Sequence, residues 1–503
     1  MKKIAKYGML EISLLRTGQA QEIIPEATFT LGEQRVRVRG FSENEDQGRV
    51  RFMPMSEGEW RYEMTWGEEK TQGFFLCTPA VCHGPVRTEG CHFRYDDGMR
   101  FIPMGTTCYA WIHQEEQVIA DTLKTLEAAP FNKLRMCIFP KSMMYNQNDP
   151  AFYPFEKNAA GGWDVSKPDP RYWTHLDSCL QALEKLGVEA DIILFHPYDR
   201  WGFSQMAQQD NLVYLDYAVR RLSAYHHVWW ALSNEYEFSF KKTLADWDQF
   251  GELIAREDIY HHLISAHNWI TPYPKRPWLT HVSYQGANPR DAFHIRVEYG
   301  LPVLVDEIGY EGDIEPFWGN LSGFEFMHRV WTTTAFGCYA AHGETFHRED
   351  EVLWWAKGGK LYGQAPARLQ FLKEVLESLP GPMEPSCLGV VQDPNGLFDS
   401  ANPFILNILK NTNEKGKKKI LEEQTLPIGV HPDYKLIYQE RAARSLMTLQ
   451  LPQNGKYRVE IIDIWEMTRK LSAENVHGEI RVGLPGKEGI ALLITRLSGD
   501  PLN

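Results

Sequence analysis

The sequence predicts an α/β protein, a (β/α)8 TIM barrel flanked by two small all-β sandwich domains, and three observations lead there. Eight short apolar runs between residues 101 and 342 alternate with stretches of helical periodicity. The flanking segments, residues 1–90 and 383–503, instead alternate apolar and polar residues in short runs broken by Gly, Pro and acidic turns. The 503 residues are too many for one ordinary domain, but suit a barrel of about 250 residues with two smaller modules.

In the first segment, residues 35–39 (RVRVR) and 49–53 (RVRFM) alternate as half-buried strands do. Residues 52–62 read as two strands joined by a Gly-containing loop, so an N-terminal β-sandwich is expected over 1–90. The barrel is expected over 91–382. Its strands are expected at 101–107, 133–138, 190–196, 228–233, 263–267, 279–284, 302–306 and 337–342. Helices should intervene at 118–129, 172–186, 214–224, 247–255, 289–299 and 323–335, with a last helix at 362–379. A doubly wound open sheet is the structural alternative. It would more often carry a Gly-rich turn after the first strand, and residues 105–109 (GTTCY) lack GxGxxG. Beyond 380–385 (PGPMEP), strands are expected at 404–409, 434–438, 457–464 and 489–495, a second sandwich over 383–503. The basic run 410–419 contains Asn, Gly and Glu and reads as a solvated hairpin loop.

Composition narrows the function classes. The formal net charge of −13 disfavours nucleic acid, whose binding rests on Lys and Arg neutralising phosphates. No 18-residue apolar run exists, so no membrane-spanning helix is expected. The first residues have no sustained apolar segment, so no secretory signal is read. The eight cysteines (77, 82, 91, 108, 137, 179, 338 and 387) form no CxxC pair and read as reduced core thiols of a cytoplasmic protein. The 16 Trp and 22 Tyr are a heavy aromatic load. Such rings stack on sugars, although filling cores is their commoner use.

The chemistry concentrates at strand ends. Residues 227–235 (HVWWALSNE) end at Asn234 and Glu235, and residues 301–307 (LPVLVDE) end at Asp306 and Glu307. Barrel strands point their C-terminal ends at one rim, where active sites of this fold lie. Reading those ends gives Arg135, His196, Asn234, Glu235, His267, Tyr284, Glu307, His342 and Glu344. Barrel interiors are normally Val, Ile and Leu, so this ionisable set reads as a site. Two carboxylates about 5–5.5 Å apart are what a retaining glycosidase uses. Glu235 on strand four is assigned acid/base and Glu307 on strand seven nucleophile. Asn234 would donate to a sugar 2-hydroxyl, and Arg135 and Tyr284 would hold Glu307 ionised. Asp306 should face away from the interior by strand alternation. Trp111 and His113 after strand one, and His196 after strand three, are further candidate sugar contacts.

The Asn-Glu ending strand four and the Glu ending strand seven resemble the retaining glycoside hydrolases of the cellulase-like clan A. The wider chain resembles their apiosidase-like branch, in which β-sandwiches precede and follow the barrel. Residues 51–60 (RFMPMSEGEW), 82–86 (CHGPV), 92–98 (HFRYDDG), 105–111 (GTTCYAW) and 130–136 (PFNKLRM) carry that likeness. The resemblance implies acid/base for Glu235 and nucleophile for Glu307. It also implies a substrate contact for Asn234, and places Arg135 and Tyr284 beside the nucleophile. One departure is that the two glutamates stand closer in sequence than in many clan members. Walls of the site must then come from elsewhere, and the long segment 140–173, with Tyr145, Phe152, Tyr153, Phe155 and Trp163, could be a lid or a structural cap.

The leading expectation is an exo-acting retaining glycosidase on small glycosides or oligosaccharides, needing no cofactor or metal. An endo-acting glycanase on a soluble polysaccharide and a non-catalytic carbohydrate-binding protein are the alternatives. His342, Glu344 and His347 fit no standard zinc spacing. A metal-dependent hydrolase using His196, His267 and His342 is a further alternative. The pairs His226-His227 and His261-His262 precede strands and read as structural. The sequence leaves sugar, anomer and oligomeric state open, and a homo-oligomer is compatible with it.

Overall fold

The computed structural model describes residues 1–15, 23–386, 407, 410–413, 415–416 and 426–502. Its contacts divide the chain into two units. The first holds residues 1–101, 105–283 and 348–360, and the second holds 102–104, 284–347 and 361–503.

The first unit begins with two β-sheets. One orders its strands Lys2–Ala5, Glu69–Thr78, Gly58–Trp66, Glu26–Leu31 and Gln34–Arg39, and the other Leu10–Leu15, Gln47–Phe52 and Phe41–Asn44. All pairs are antiparallel except the first, where Lys2–Ala5 runs parallel to its neighbour. Period-two burial builds their core: Trp60, Met64 and Trp66 point inward along one strand. The rings of Phe29 and Phe52, one from each sheet, stack with centroids 3.9 Å apart.

Next comes a parallel sheet of strands Gly105–Thr107, Lys133–Cys137, Glu189–Phe195, Val228–Ser233 and Ile264–Ser265, in sequence order. An isolated parallel bridge joins His267 to Ser283. Lys133–Cys137, Glu189–Phe195 and Val228–Ser233 are buried at every residue, as parallel strands covered on both faces must be. Helices Glu116–Ala128, Pro170–Leu186, Gln208–Leu222 and Leu244–Glu257 alternate with them. Their ends carry the expected chemistry. Asp169 caps one helix before Pro170, and that helix stops at Gly187 with φ 69°. Thr243 and Asp246 form a reciprocal capping box on another.

The second unit holds a sheet ordered Val282–Gln285, Val303–Glu307, Tyr339–Ala340, the first of these strands lying at the unit boundary. Val303–Glu307 and Tyr339–Ala340 run parallel. Helices Asp291–Tyr299, Gly323–Ala335 and Ala365–Glu377 alternate with and follow these strands. A six-stranded antiparallel sheet then orders Glu384–Pro385, Ile428–His431, Tyr434–Tyr438, Ile490–Gly499, Gly455–Asp463 and Thr468–Val476. A two-stranded ribbon, Leu446–Gln450 with Glu479–Gly483, shares its apolar core through Met447, Leu449 and Val482.

Most expected elements are present, and the differences are local. The run expected at 101–107 is split: Phe101 joins an antiparallel strand, and only Gly105–Thr107 enters the parallel sheet. Pro103 lacks the N–H a central strand needs. The strands expected at 263–267 and 337–342 shrink to Ile264–Ser265 and Tyr339–Ala340. Cys387 and all but residue 407 of the strand expected at 404–409 lie outside the described residues. Of the loop expected at 410–419, the described residues are mostly exposed, as a solvated segment should be, but 410–411 and 415–416 have helical backbone.

A buried ionic network joins the N-terminal sheets to two helices of the first unit. Arg51 forks onto Asp177 through two bonds of 2.7 Å, and Arg221 reaches Asp177 at 2.7 Å and Glu43 at 3.0 Å. Both guanidiniums also lie over the Phe41 ring. Burial works to raise the Asp177 carboxyl pKa, but the adjacent Arg51 and Arg221 hold it below its ordinary value. Asp177→Asn should destabilise the chain by about 3–5 kcal/mol, because two buried cations lose their shared counter-charge. Urea unfolding measures this, and a loss below about 1 kcal/mol would show that the network carries little.

Candidate active site

In the first unit, Glu235 is the residue at which several local constraints meet. It follows the buried Val228–Ser233 strand and is 6% exposed. Its backbone is left-handed, φ 47° and ψ 63°, a conformation that side chains other than Gly adopt at a cost. The surroundings impose it. The Asn234 N–H donates to the Phe195 carbonyl on one neighbouring strand, and the Tyr236 N–H donates to the His267 carbonyl beyond the other. The Glu235 N–H faces His267 Nδ1 at 3.4 Å, which leaves that ring its hydrogen on Nε2.

The carboxylate is set by neighbours. Tyr198 donates its hydroxyl to Glu235 Oε2, and Asn234 Nδ2 donates to the same oxygen at 3.3 Å. Asn234 is itself fixed. Its Oδ1 accepts from Arg135 Nη1 at 2.7 Å and from the Tyr109 hydroxyl at 3.0 Å. Arg135 also donates to the Tyr109 oxygen at 3.0 Å. Two donors at the oxygen settle which end of the amide faces Glu235.

A buried cation braces both tyrosines. Lys141 Nζ lies 3.4 Å from the Tyr109 ring centroid, 4.7 Å from Tyr198 and 5.0 Å from Trp355. The loop bearing Tyr198 is held by Asp199, whose carboxylate accepts the N–H groups of Trp201, Gly202 and Ser204. The segment 140–173 packs on that loop. Its hairpin, Phe155–Lys157 with Trp163–Pro168, stacks Trp163 on Phe203 at 4.8 Å and donates Trp163 Nε1 to the Trp201 carbonyl.

Beside Glu235 an aromatic surface stands in solvent. Phe238 and Trp269 lie 4.6 Å apart, and Trp269 is 46% exposed. Glu237 anchors it by accepting the N–H groups of Trp269, Ile270 and Thr271.

The remaining expected residues of this unit are buried and structurally engaged. Trp111 is fully buried and donates Nε1 to Met136 Sδ at 3.3 Å. His196 bonds the Phe139 carbonyl through Nε2 at 3.1 Å. Burial first, then the nearby Lys141 charge, lowers its pKa to about 3, so the ring is neutral. His113 is likewise lowered to about 3, chiefly by burial.

In the second unit, Glu307 ends the Val303–Glu307 strand and its carbonyl accepts the Gly286 N–H at 3.0 Å. Tyr284, expected to donate to Glu307, turns its hydroxyl to Asp291 at 3.5 Å, and burial followed by that carboxylate raises its pKa to about 12. His342 is fully buried, edge-on to Phe326, and burial lowers its pKa to about 3. Glu344, expected to touch substrate, spends its oxygens on the N–H groups of Tyr362 and Gly363 at 2.6 and 2.8 Å. Glu311 does the same for Gln364 and Ala365. Together they cap the start of the Ala365–Glu377 helix, an end that favours negative charge.

Sequence reasoning missed Tyr109, Lys141, Tyr198 and the Phe238–Trp269 surface. Two are within reach of the sequence: Tyr109 lies in GTTCYAW beside Trp111, and Tyr198 lies two residues after His196. Among the described residues, three metal-capable donors gather only at Glu184, His226 and His227, at the opposite end of the Val228–Ser233 strand from Glu235. His196, His267 and His342 are not in that group.

The family described as apiosidase-like, catalytic domain, matches residues 87–357. Two domains of unknown function, DUF5060 and DUF5605, match residues 3–67 and 424–495. A Bacteroides vulgatus protein provisionally assigned as a glycoside hydrolase is 32% identical over 99% of this chain and all of its own, with a TM-score of 0.86. A family 5 glycoside hydrolase of the same species is 15% identical over 82% of this chain and 93% of its own, with a TM-score of 0.59, a likeness of fold. No curated protein matches the chain.

Burial raises the Glu344 pKa to about 7, against the two amides that lower it. A carboxyl raised on folding stabilises below its ordinary pKa, and that contribution is lost as pH climbs from about 4.5 to about 7. Glu344→Gln resembles the protonated form. Its melting temperature relative to wild type should therefore improve between pH 4.5 and pH 8. A penalty that grows with pH would refute the assignment.

Proposed function

The chain belongs to the apiosidase-like catalytic-domain family, and on that premise we propose that it is a retaining glycoside hydrolase acting on small glycosides or oligosaccharides from their ends. The observation that carries this reading is Glu235: a strand-end carboxylate in a left-handed conformation, hydrogen-bonded by Tyr198 and by an Asn234 whose orientation Arg135 and Tyr109 fix. Such strain, held by its surroundings, marks functional positions.

We read the parallel strands as one (β/α)8 barrel over 91–382, with sandwich domains over 1–90 and 383–503. Strand order, full burial of the central strands and the alternating helices support that reading. In the proposed double displacement, the Glu307 carboxylate attacks the anomeric carbon while the Glu235 carboxyl gives its proton to the departing glycosidic oxygen. Glu235, now a carboxylate, takes a proton from water. That water attacks the anomeric carbon, and the bond to Glu307 breaks. Asn234 offers an N–H to the sugar 2-hydroxyl. Trp269 and Phe238 supply a surface on which a further sugar ring or an aglycone stacks. We place the protein in the cytoplasm, an assignment that its free cysteines suit, and no helix of the described residues is long and apolar enough to cross a membrane.

Against a panel of α- and β-aryl pyranosides and furanosides, wild type should cleave one class. Glu235→Gln and Glu307→Gln should each lose at least about 10²–10⁴-fold in kcat/KM. Azide should restore turnover to Glu235→Ala on a good leaving group, giving a product of retained configuration. Unimpaired variants, or an inverted product, would rule the mechanism out.

A second expectation concerns Tyr198. Tyr198→Phe removes a donor that favours the Glu235 carboxylate. The alkaline limb of the kcat/KM profile should move to higher pH, with the acidic limb unmoved. A uniform drop in rate with no shift would mean that Tyr198 only shapes the pocket.

A further inference from the structure

The turn that opens the Val228–Ser233 strand gathers donors that the glycosidase reading leaves unused. Glu184 lies in the last turn of the Pro170–Leu186 helix, and His226 and His227 immediately precede the strand. Cys82 follows the Glu69–Thr78 strand of the N-terminal sheet. One ligand atom from each of Glu184, His226 and His227 lies within 4.8 Å of the others. His226 Nε2 is 3.4 Å from Glu184 Oε1. Cys82 stands outside that group but near enough to His226 to act on it electrostatically.

A second observation points to a ligand. His227 is 1% exposed and donates Nε2 to the Leu180 carbonyl at 3.0 Å. Its lone pair therefore sits on Nδ1, which is buried with no hydrogen-bond partner. Buried polar atoms are nearly always satisfied, and an acceptor nitrogen is satisfied equally by a proton donor or by a metal ion.

We propose that Glu184, His226 and His227, with the nearby Cys82 thiolate swinging in as fourth ligand, bind a divalent transition-metal ion, with Zn²⁺ the best chemical match. Two imidazoles, a carboxylate and a thiolate are borderline-to-soft donors that complete a tetrahedral shell. Ca²⁺ and Mg²⁺ require oxygen donors instead. Four protein ligands leave no open position, so the ion is structural. It would join the segment leaving the N-terminal sheet, the end of one helix and the foot of the strand that carries Glu235 at its other end.

The test uses the full chain, stripped with a chelator and titrated with ZnCl₂ by calorimetry, with metal content read by mass spectrometry. One equivalent per chain is expected, together with a higher melting temperature. Glu184→Gln and His226→Ala should each weaken binding by more than the roughly 10–100-fold typical of an outer-shell partner. Both positions are only partly buried, so these variants are expected to fold, and the fully buried His227 is left unsubstituted. With Co²⁺ in place of zinc, a thiolate-to-metal charge-transfer band should be present and should vanish in Cys82→Ser. Stoichiometric binding indifferent to Glu184→Gln and His226→Ala, binding without the thiolate band, or no binding would each overturn the assignment. Glycosidase activity is not the readout, so the proposal stands or falls apart from the catalytic one.

Discussion

The orientation of one amide governs the site around Glu235. An asparagine side chain presents an acceptor at one end and two donors at the other, and nothing intrinsic selects between them. Arg135 and Tyr109 both donate to Asn234 Oδ1. The amide nitrogen is therefore turned to the Glu235 carboxylate. Replacing Arg135 with an apolar residue would leave Tyr109 alone to choose between donating and accepting, and the amide could flip. A fully buried Arg on a strand whose every residue is buried is costly. Its retention makes physical sense as the price of that orientation.

The same logic explains the left-handed backbone at Glu235. The strand must end there, because the Asn234 and Tyr236 N–H groups are claimed by residues on opposite sides, Phe195 and His267. A residue between two such anchors has little freedom, and positive φ is the geometry left to it. A strained turn of this kind needs a stiff frame. The frame here is a set of fully buried strands, with Lys141 packed among Tyr109, Tyr198 and Trp355 to fix the rings that carry the hydroxyls. Farther down, Arg51, Asp177, Arg221 and Glu43 fasten the N-terminal sheets to the helices behind those strands.

Much of this was legible in the sequence, and the failures have physical causes. Periodicity located the helices and central strands because burial on both faces leaves an unbroken apolar run. It overestimated strands at 263–267 and 337–342, since an apolar run does not reveal how many of its residues find a ladder partner. Residue type and strand-end position single out Asn234 and Glu235 as candidates, and the structure pairs their side chains; no sequence signal announces the backbone strain at Glu235. Type alone misdirected the choice elsewhere. Trp111 and His196 look like sugar contacts, yet the hydroxyls that reach Asn234 and Glu235 come from Tyr109 and Tyr198, two residues before one and two after the other. Glu344 looked like a ligand because it follows a strand, but its oxygens are consumed by backbone amides of a distant segment. Pairings at that sequence separation are set by tertiary structure. The pair His226-His227 reads as structural from its place before a strand, and His227 does bond the Leu180 carbonyl; that Glu184 comes beside it from another element is invisible in the sequence.

The strand from Val228 to Ser233 links the histidine pair to Glu235. His227 stands at its foot and Glu235 beyond its tip. At about 3.3 Å per residue the two lie roughly 26 Å apart, well beyond a Debye length of about 8–10 Å. A charge placed at the foot is therefore felt weakly as a field at the tip. What the foot can transmit is position: a strand locked at its start, and hydrogen-bonded along both edges, cannot slide in register without turning its side chains to the wrong face. The register is what brings Asn234 to Arg135 and Tyr109, so anything that fixes the foot protects the orientation of that amide. A bound ion there would accordingly change how firmly the turn at Glu235 is held, while the hydrogen bonds at its carboxylate are set by its own neighbours.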